Sequence, residues 1–319
     1  MSTIRQVSEP RHAPDGTAPD GTAYDLTGPV DAPVVVLIHG LGLARGIWDD
    51  HMAAFAGYRV LRYDLYGHGD SAPPPATASL SVYAAQIAGL LDTIGVARAH
   101  IVGFSIGGMI NRRFAMDYPT RTASLIVLNS PHERSPEQQK LVEERARDTS
   151  ASGPAANLDV TLERWFTAEF RRDYPEKVQQ VRDVVLANEP KNYAAHREVL
   201  ATGVLELIRP KPPLAIPTLV MTCENDTGST PAMSHTIASE IPHSQTIIVP
   251  DLQHLGLLEK LSESLEHLTD KQLTDRLKQW LHYFSMHSET IKSVFDTVKR
   301  ERSREAFFSK IKQASESGL

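Results

Sequence analysis

Alternating strands and helices predict an α/β fold for this chain, built on a mostly parallel sheet with helices on both faces. Three observations carry that prediction. Val34-Val35-Val36-Leu37-Ile38 is a continuous apolar run, as expected of a strand covered on both sides. Further strand-like runs recur along the chain with amphipathic stretches between them. Gly103-Phe104-Ser105-Ile106-Gly107 spells G-x-S-x-G between a strand pattern and a helix pattern, a strand–turn–helix unit that lifts a serine out of a sheet.

The elements follow in order. Residues 1–30 are rich in Pro, Gly and Asp, and the near-repeat A-P-D-G-T over Ala13 to Ala23 reads as turns or a loose arm. Tyr24 to Leu26 reads as an edge strand. Val34 to Ile38 and Tyr58 to Tyr63 are strong strands. The elbow strand Ala99 to Val102 follows, then Ser124 to Leu128, Thr218 to Met221 and Thr246 to Val249. Helices are expected over Ile47 to Phe55, Leu80 to Ile94, Gly107 to Tyr118 and Pro231 to Glu240.

From His132 to about Pro213 the alternation stops. Only charged, amphipathic helical sequence is present, as in Glu137 to Arg147, Leu162 to Phe170 and Lys177 to Ala187. Inserted after the sixth strand, this segment would sit over the strand ends as a cap. Trp165, Phe166 and Phe170 fall close together there, as core packing or as pocket lining. Near the end, Leu273, Leu277, Trp280, Leu281 and Phe284 form one amphipathic stripe, and two more follow in the tail. They would pack on the domain surface or contact a partner or a second copy of the chain. The expected division is an arm over 1–23, a core over 24–131 and 214–284, a helical cap over 132–213, and a C-terminal helical extension over 285–319.

Composition narrows the function classes. The chain has 319 residues, 41% of them hydrophobic and 23% charged, within the range of ordinary globular proteins. A formal charge of −6 argues against nucleic-acid or anionic-membrane binding. Cys223 is the single cysteine, so no disulfide can form within the chain. No apolar run approaches the roughly 18 residues of a membrane span. The N-terminal stretch has no apolar signal core. A cytoplasmic enzyme is the expectation.

The chemistry centres on Ser105, with a passive serine in a glycine-rich turn as the plain alternative. A nucleophilic serine needs a base, an acid to orient that base, and donors for the oxyanion. Of the thirteen histidines, His254 lies in the loop after the last strand, on the edge where Ser105 emerges. His243 precedes that strand and falls at the wrong end. His132 is on the right edge and is a pocket candidate. For the acid, Asp226 directly follows the strand Thr218 to Met221, giving the order Ser, Asp, His. Glu224 is its nearest rival and Asp251 a weaker one. The preceding strand ends in Asn129-Ser130-Pro131, with no carboxylate. The oxyanion donors are expected to be the amides of Ile106 and of Leu41, the latter in His39-Gly40-Leu41-Gly42. His39 reads as structural, holding the glycine turn. Tyr66-Gly67-His68-Gly69-Asp70-Ser71 lacks the P-loop lysine and reads as a structural turn, leaving Ser71 a remote alternative nucleophile.

These pieces together resemble the α/β-hydrolase family: H-G-L-G at His39 to Gly42, R-Y-D-L-Y-G-H-G-D-S at Arg62 to Ser71, G-F-S-I-G-G at Gly103 to Gly108, and the Asp226 and His254 loops. The resemblance covers roughly residues 24 to 284. Within the family the chain is similar to the carboxylesterase and 3-oxoadipate enol-lactonase branch, and Arg164-Trp165-Phe166-Thr167 resembles a stretch common in those lactonases. It departs from the pattern at His39, at Cys223, where a glycine is usual, in Glu259 to Glu263, and in the tail past Phe284. The resemblance implies a serine hydrolase of carboxylic esters or lactones, acting on a small molecule through Ser105, His254 and Asp226 with no cofactor or metal. Trp165, Phe166 and His132 are the substrate-binding candidates. A carbon–carbon bond hydrolase or cofactor-free perhydrolase on the same residues is an alternative, as is a non-enzymatic ligand-binding protein. Dehalogenase and epoxide-hydrolase chemistry would need an aspartate at the elbow.

Overall fold

Six parallel strands and a short antiparallel edge form the sheet. The computed structural model describes residues 16–55, 57–256 and 310. Among these, eight strands pair in the order β1-β2-β4-β3-β5-β6-β7-β8. They are β1 (Gly16–Thr17), β2 (Ala23–Thr27), β3 (Val34–Ile38), β4 (Arg59–Tyr63), β5 (Ala99–Phe104), β6 (Thr122–Leu128), β7 (Thr218–Cys223) and β8 (Gln245–Val249). From β4 to β8 every pairing is parallel, and β2 joins β4 antiparallel. The expected α/β architecture is therefore present.

Burial explains why the central strands were visible as apolar runs. Every residue of β3 and of β7 is buried, whereas β8 lies at the sheet margin and is half-exposed. Of helices α1 (Leu80–Thr93), α2 (Ile106–Asp117) and α8 (Pro231–Glu240), α2 and α8 pack on this sheet and α1 packs on α2. Ser79 and Thr230 cap the first and last of them, each accepting a hydrogen bond from a backbone amide of the first turn. Between β6 and β7 lie five α-helices, α3 (Pro136–Ser152), α4 (Leu158–Trp165), α5 (Ala168–Asp173), α6 (Pro175–Leu186) and α7 (Pro190–Thr202), and a short 3₁₀ helix over Gly203–Glu206.

Three local expectations are corrected. Gly16 and Thr17 are not part of a loose arm: they pair with Tyr24 and Ala23 in a hairpin. Its tip is held by Asp20, whose carboxylate accepts the Thr22 amide, and by Gly21 at φ +83°. The helix expected over Ile47 to Phe55 is present but starts earlier, at Arg45, and is wound as a 3₁₀ helix over Arg45–Phe55. Its tight winding carries Trp48 into the core while the Arg45 amide stays bonded to Asp64 at 2.7 Å. The stretch Leu162 to Phe170 is two helices, because Phe166 turns extended and the Thr167 hydroxyl caps α5 at the Phe170 amide. The stripe from Leu273 to Phe284 and the C-terminal extension lie outside the described residues. No helix among the described residues is long and apolar enough to cross a membrane.

Candidate active site

The carboxyl ends of the parallel strands converge on Ser105. The serine follows β5 with φ 57° and ψ −116°, a strained conformation for a residue with a side chain. Its surroundings hold it there: the Ser105 amide donates to Leu128 O at 2.8 Å, and the Gly108 amide donates to Ser105 O at 3.0 Å. Two glycines permit the turn. A Cβ at Gly103 would lie 2.1 Å from Gly107 O, and one at Gly107 would lie 2.6 Å from Ile38 O. Strand and helix pass too closely there for any side chain.

His254 and Asp226 reach the same point from the loops after β8 and β7. His254 Nδ1 lies 2.6 Å from Asp226 Oδ2, and His254 Nε2 lies 3.2 Å from Ser105 Oγ. A buried carboxylate can only accept, so Nδ1 carries the proton and Nε2 is free to accept from the serine hydroxyl. Burial pushes the Asp226 pKa up. The His254 charge and hydrogen bond, the Asn129 amide and the Ser229 backbone amide together outweigh burial and leave it below the usual carboxylate value. Asp226 Oδ1 accepts the Gly228 and Ser229 amides, both at 2.9 Å. Such a chain can move a proton from hydroxyl to imidazole while a fixed carboxylate balances the charge.

The other candidates fall out as follows. Glu224 accepts the Asp251 amide at 3.1 Å, so these two rivals for the acid engage each other at the loop surface. Leu41 lines the cavity beside Ser105, and Ile106 opens α2, where a first-turn amide has no partner within its own helix. His39 is fully buried. Its Nε2 accepts the Leu65 amide at 3.0 Å and its Nδ1–H donates to Gly40 O at 2.8 Å. Burial pulls its pKa down to about 4, which fits the structural reading. His68 likewise accepts the Gly42 amide at 3.0 Å, so both histidines brace the glycine loop. Ser71 donates to Asp64 O at 2.7 Å within a turn pinned by Arg45, which contacts Asp25, Asp64 and Asp70.

A cavity of about 590 Å³ opens above Ser105, floored by Gly40, Leu41 and Phe104 and roofed by the helices between β6 and β7. Trp165 lines it, its ring centroid 6.1 Å from that of His254. Two of the pocket candidates do not line it. Phe166 is 1% exposed and stacks on Phe170 in the core, because the extended turn after α4 points it inward. His132 is also buried, wedged between the Arg112 guanidinium (3.1 Å) and Glu240 Oε1 (3.1 Å).

Residue-level reading missed Asn129, whose Nδ2 donates to Asp226 Oδ2 at 2.9 Å. It also missed Arg134, Arg145 and Arg197 on the cavity wall. Asn129 stands where a carboxylate was looked for and not found, and that position was the one signal available.

A sequence profile for the family described as alpha/beta hydrolase fold matches residues 33–261. The chain belongs to the α/β-hydrolase family. Among relatives of this α/β-hydrolase, a protein of Stutzerimonas stutzeri assigned as carbamate hydrolase RutD is 28% identical, over 78% of this chain and 97% of its own length. The 3-oxoadipate enol-lactonase 2 of Acinetobacter baylyi is also 28% identical, over 74% of this chain and 87% of the lactonase. The crystal structure of the enol-lactonase from Burkholderia xenovorans superposes with a TM-score of 0.67 at 28% identity, covering 77% of this chain and 96% of that one. This α/β-hydrolase is thus similar to the enol-lactonase branch in both sequence and fold.

Proposed function

We propose that this α/β-hydrolase is a serine hydrolase cleaving carboxylic esters or lactones through an acyl-enzyme. The observation that carries the reading is the unbroken line from Ser105 Oγ through the His254 ring to Asp226, at 3.2 and 2.6 Å, on a serine in a strained turn. Ser105 attacks the acyl carbon while His254 takes its proton. The carbonyl electrons move to oxygen, and the Ile106 and Leu41 amides hold that oxyanion; one such donor is typically worth about 3 kcal/mol in the transition state. Collapse expels the alkoxide, which receives the proton from His254. Water, deprotonated by the same imidazole, then attacks the acyl-enzyme and releases the acid. Asp226 keeps the tautomer and balances the imidazolium. No step calls on a metal or cofactor.

The relatives support the reaction class: a lactonase cleaves a cyclic ester, and a carbamate hydrolase also acts at an acyl carbon. A fluorophosphonate probe tests the assignment. The expected result is stoichiometric labelling that disappears in Ser105→Ala; labelling that survives that substitution refutes the nucleophile. A vinylogous diketone run beside a p-nitrophenyl acyl ester separates carbon–carbon hydrolysis from ester hydrolysis.

A further inference from the structure

The cavity that holds Ser105 is also lined with guanidinium groups, in a chain whose net charge is −6. Arg134 precedes α3, Arg145 lies on α3, Arg164 on α4 and Arg197 on α7, and all four line the cavity over Ser105. The packing of α3 on α7 brings three of these arginines, Arg134, Arg145 and Arg197, into one region.

Two carboxylates share the lining, and both are engaged elsewhere. Asp226 is bonded to His254. Glu133 is held by Arg209 through two hydrogen bonds, at 2.6 and 2.8 Å. Among the described residues, no carboxylate forms an ion pair with Arg134, Arg164 or Arg197. Arg134 donates instead to Gln139 Oε1 (3.0 Å) and to Ala201 O (3.4 Å), which fix its side chain without cancelling its charge. Glu143 offsets part of that charge from α3. Like charges face one another here. The Arg134 pKa is drawn down by burial and then by Arg197, and that of Arg164 by burial and then by Arg197 and Arg145, with Asp226 and Tyr193 offsetting part of the effect at Arg164. Facing cations that carboxylates offset only in part are electrostatically unfavourable until an anion enters between them. Guanidinium forks bind planar oxyanions with directed, charge-assisted hydrogen bonds.

We propose that the Arg134–Arg197–Arg164 wall binds an anionic group carried by the substrate, so that the enzyme selects esters or lactones bearing a carboxylate or phosphate remote from the scissile bond. Arg197 is the pivot, since its charge acts on both Arg134 and Arg164. The proposal rests on the serine-hydrolase reading for its reaction but not for its binding, and the two can be tested apart.

The full chain is assayed with three esters of one acyl length: mono-p-nitrophenyl pimelate, its methyl p-nitrophenyl diester, and p-nitrophenyl 6-phosphonohexanoate, each corrected for uncatalysed hydrolysis. At low salt an anionic ester is expected to exceed the neutral diester at least tenfold in kcat/KM, with the advantage shrinking as ionic strength rises. The better of the carboxylate and phosphonate arms identifies the anion. Arg197→Gln and Arg134→Gln should each cut the anionic-to-neutral ratio at least threefold. Arg172→Gln, on the surface beside Asp173, should leave it unchanged. A ratio near one with Ser105 still labelled by fluorophosphonate overturns the anion wall and spares the serine hydrolase. Should none of the three esters turn over and no label attach, the hydrolase reading fails, and calorimetric titration with pimelate dianion decides the wall alone. Saturable, salt-sensitive binding that Arg197→Gln abolishes supports it; no binding at 10 mM pimelate, an order-of-magnitude ceiling well above a weak ion-pair site, overturns it.

Discussion

Asn129 Nδ2 donates at 2.9 Å to the same Asp226 oxygen that meets His254 Nδ1 at 2.6 Å. The asparagine thereby aims the carboxylate from the end of β6 across to the loop after β7. Removing it in Asn129→Ala deletes one hydrogen bond to a charged group, worth about 1.5–3 kcal/mol. The expected loss in kcat/KM is on the order of ten- to a hundredfold by that conversion. Asn129→Asp should be worse than alanine, because a second buried carboxylate beside Asp226 repels it and raises its pKa. Parallel kinetics on the two variants read this directly, and a harmless aspartate contradicts the assigned role.

Asp226→Asn should lower turnover by roughly 10³–10⁴, since an amide can no longer hold the imidazole in the required tautomer. Glu224→Gln should do little, because that side chain is occupied with the Asp251 amide. The reverse ranking in a kcat comparison would move the acid to Glu224.

Gly107→Ala should disturb folding rather than chemistry alone. The new methyl would sit 2.6 Å from Ile38 O and 2.9 Å from His39 O, both backbone atoms that cannot swing aside. Soluble yield and thermal midpoint should both fall, and a midpoint equal to that of the parent chain would mean that α2 and β3 are less tightly apposed.

Stability should decline as the solution is acidified below neutrality. Burial holds His39 and His51 at pKa values of about 4, His68 at about 3 and His196 at about 2. Between those values and the unfolded value near 6.5, the unfolded chain binds protons that the folded chain refuses, so stability rises with pH through that window. Each histidine contributes a slope of about 1.4 kcal/mol per pH unit at most. Asp226, with its depressed pKa, adds a further loss below about pH 4, the ordinary carboxylate value. Urea midpoints at pH 5, 6 and 7 check the sign; a flat profile would mean that the histidines are hydrated.

What the sequence disclosed follows from the range of the forces involved. β3 and β7 were readable because both faces of each strand are buried, which leaves an unbroken apolar run. The turn at Ser105 was readable because its requirements are local: glycines where Gly103 and Gly107 nearly touch. His39 could be set aside as structural because it adjoins the glycine it braces. Asn129 gave no comparable signal. Its role exists only because β6 and β7 end side by side, a relation that no spacing expresses. Phe166 and Trp165 show the same limit from the other side. They are adjacent and both aromatic, yet the extended backbone at Phe166 sends one into the core while the other lines the cavity. The arginines were legible only as charged helix faces until α3 and α7 came together.

One contact ties the roof of the cavity to its chemistry. The Leu255 amide, next to the imidazole, donates to Trp165 O at 2.8 Å at the end of α4. Since a hydrogen bond tolerates only a few tenths of an ångström of stretch, lifting that helix either severs the link or drags the ring off the hydroxyl. The position of the imidazole and the seating of α4 are thus joined through one backbone hydrogen bond, so a substitution that shifts the end of α4 is felt at His254 without touching it.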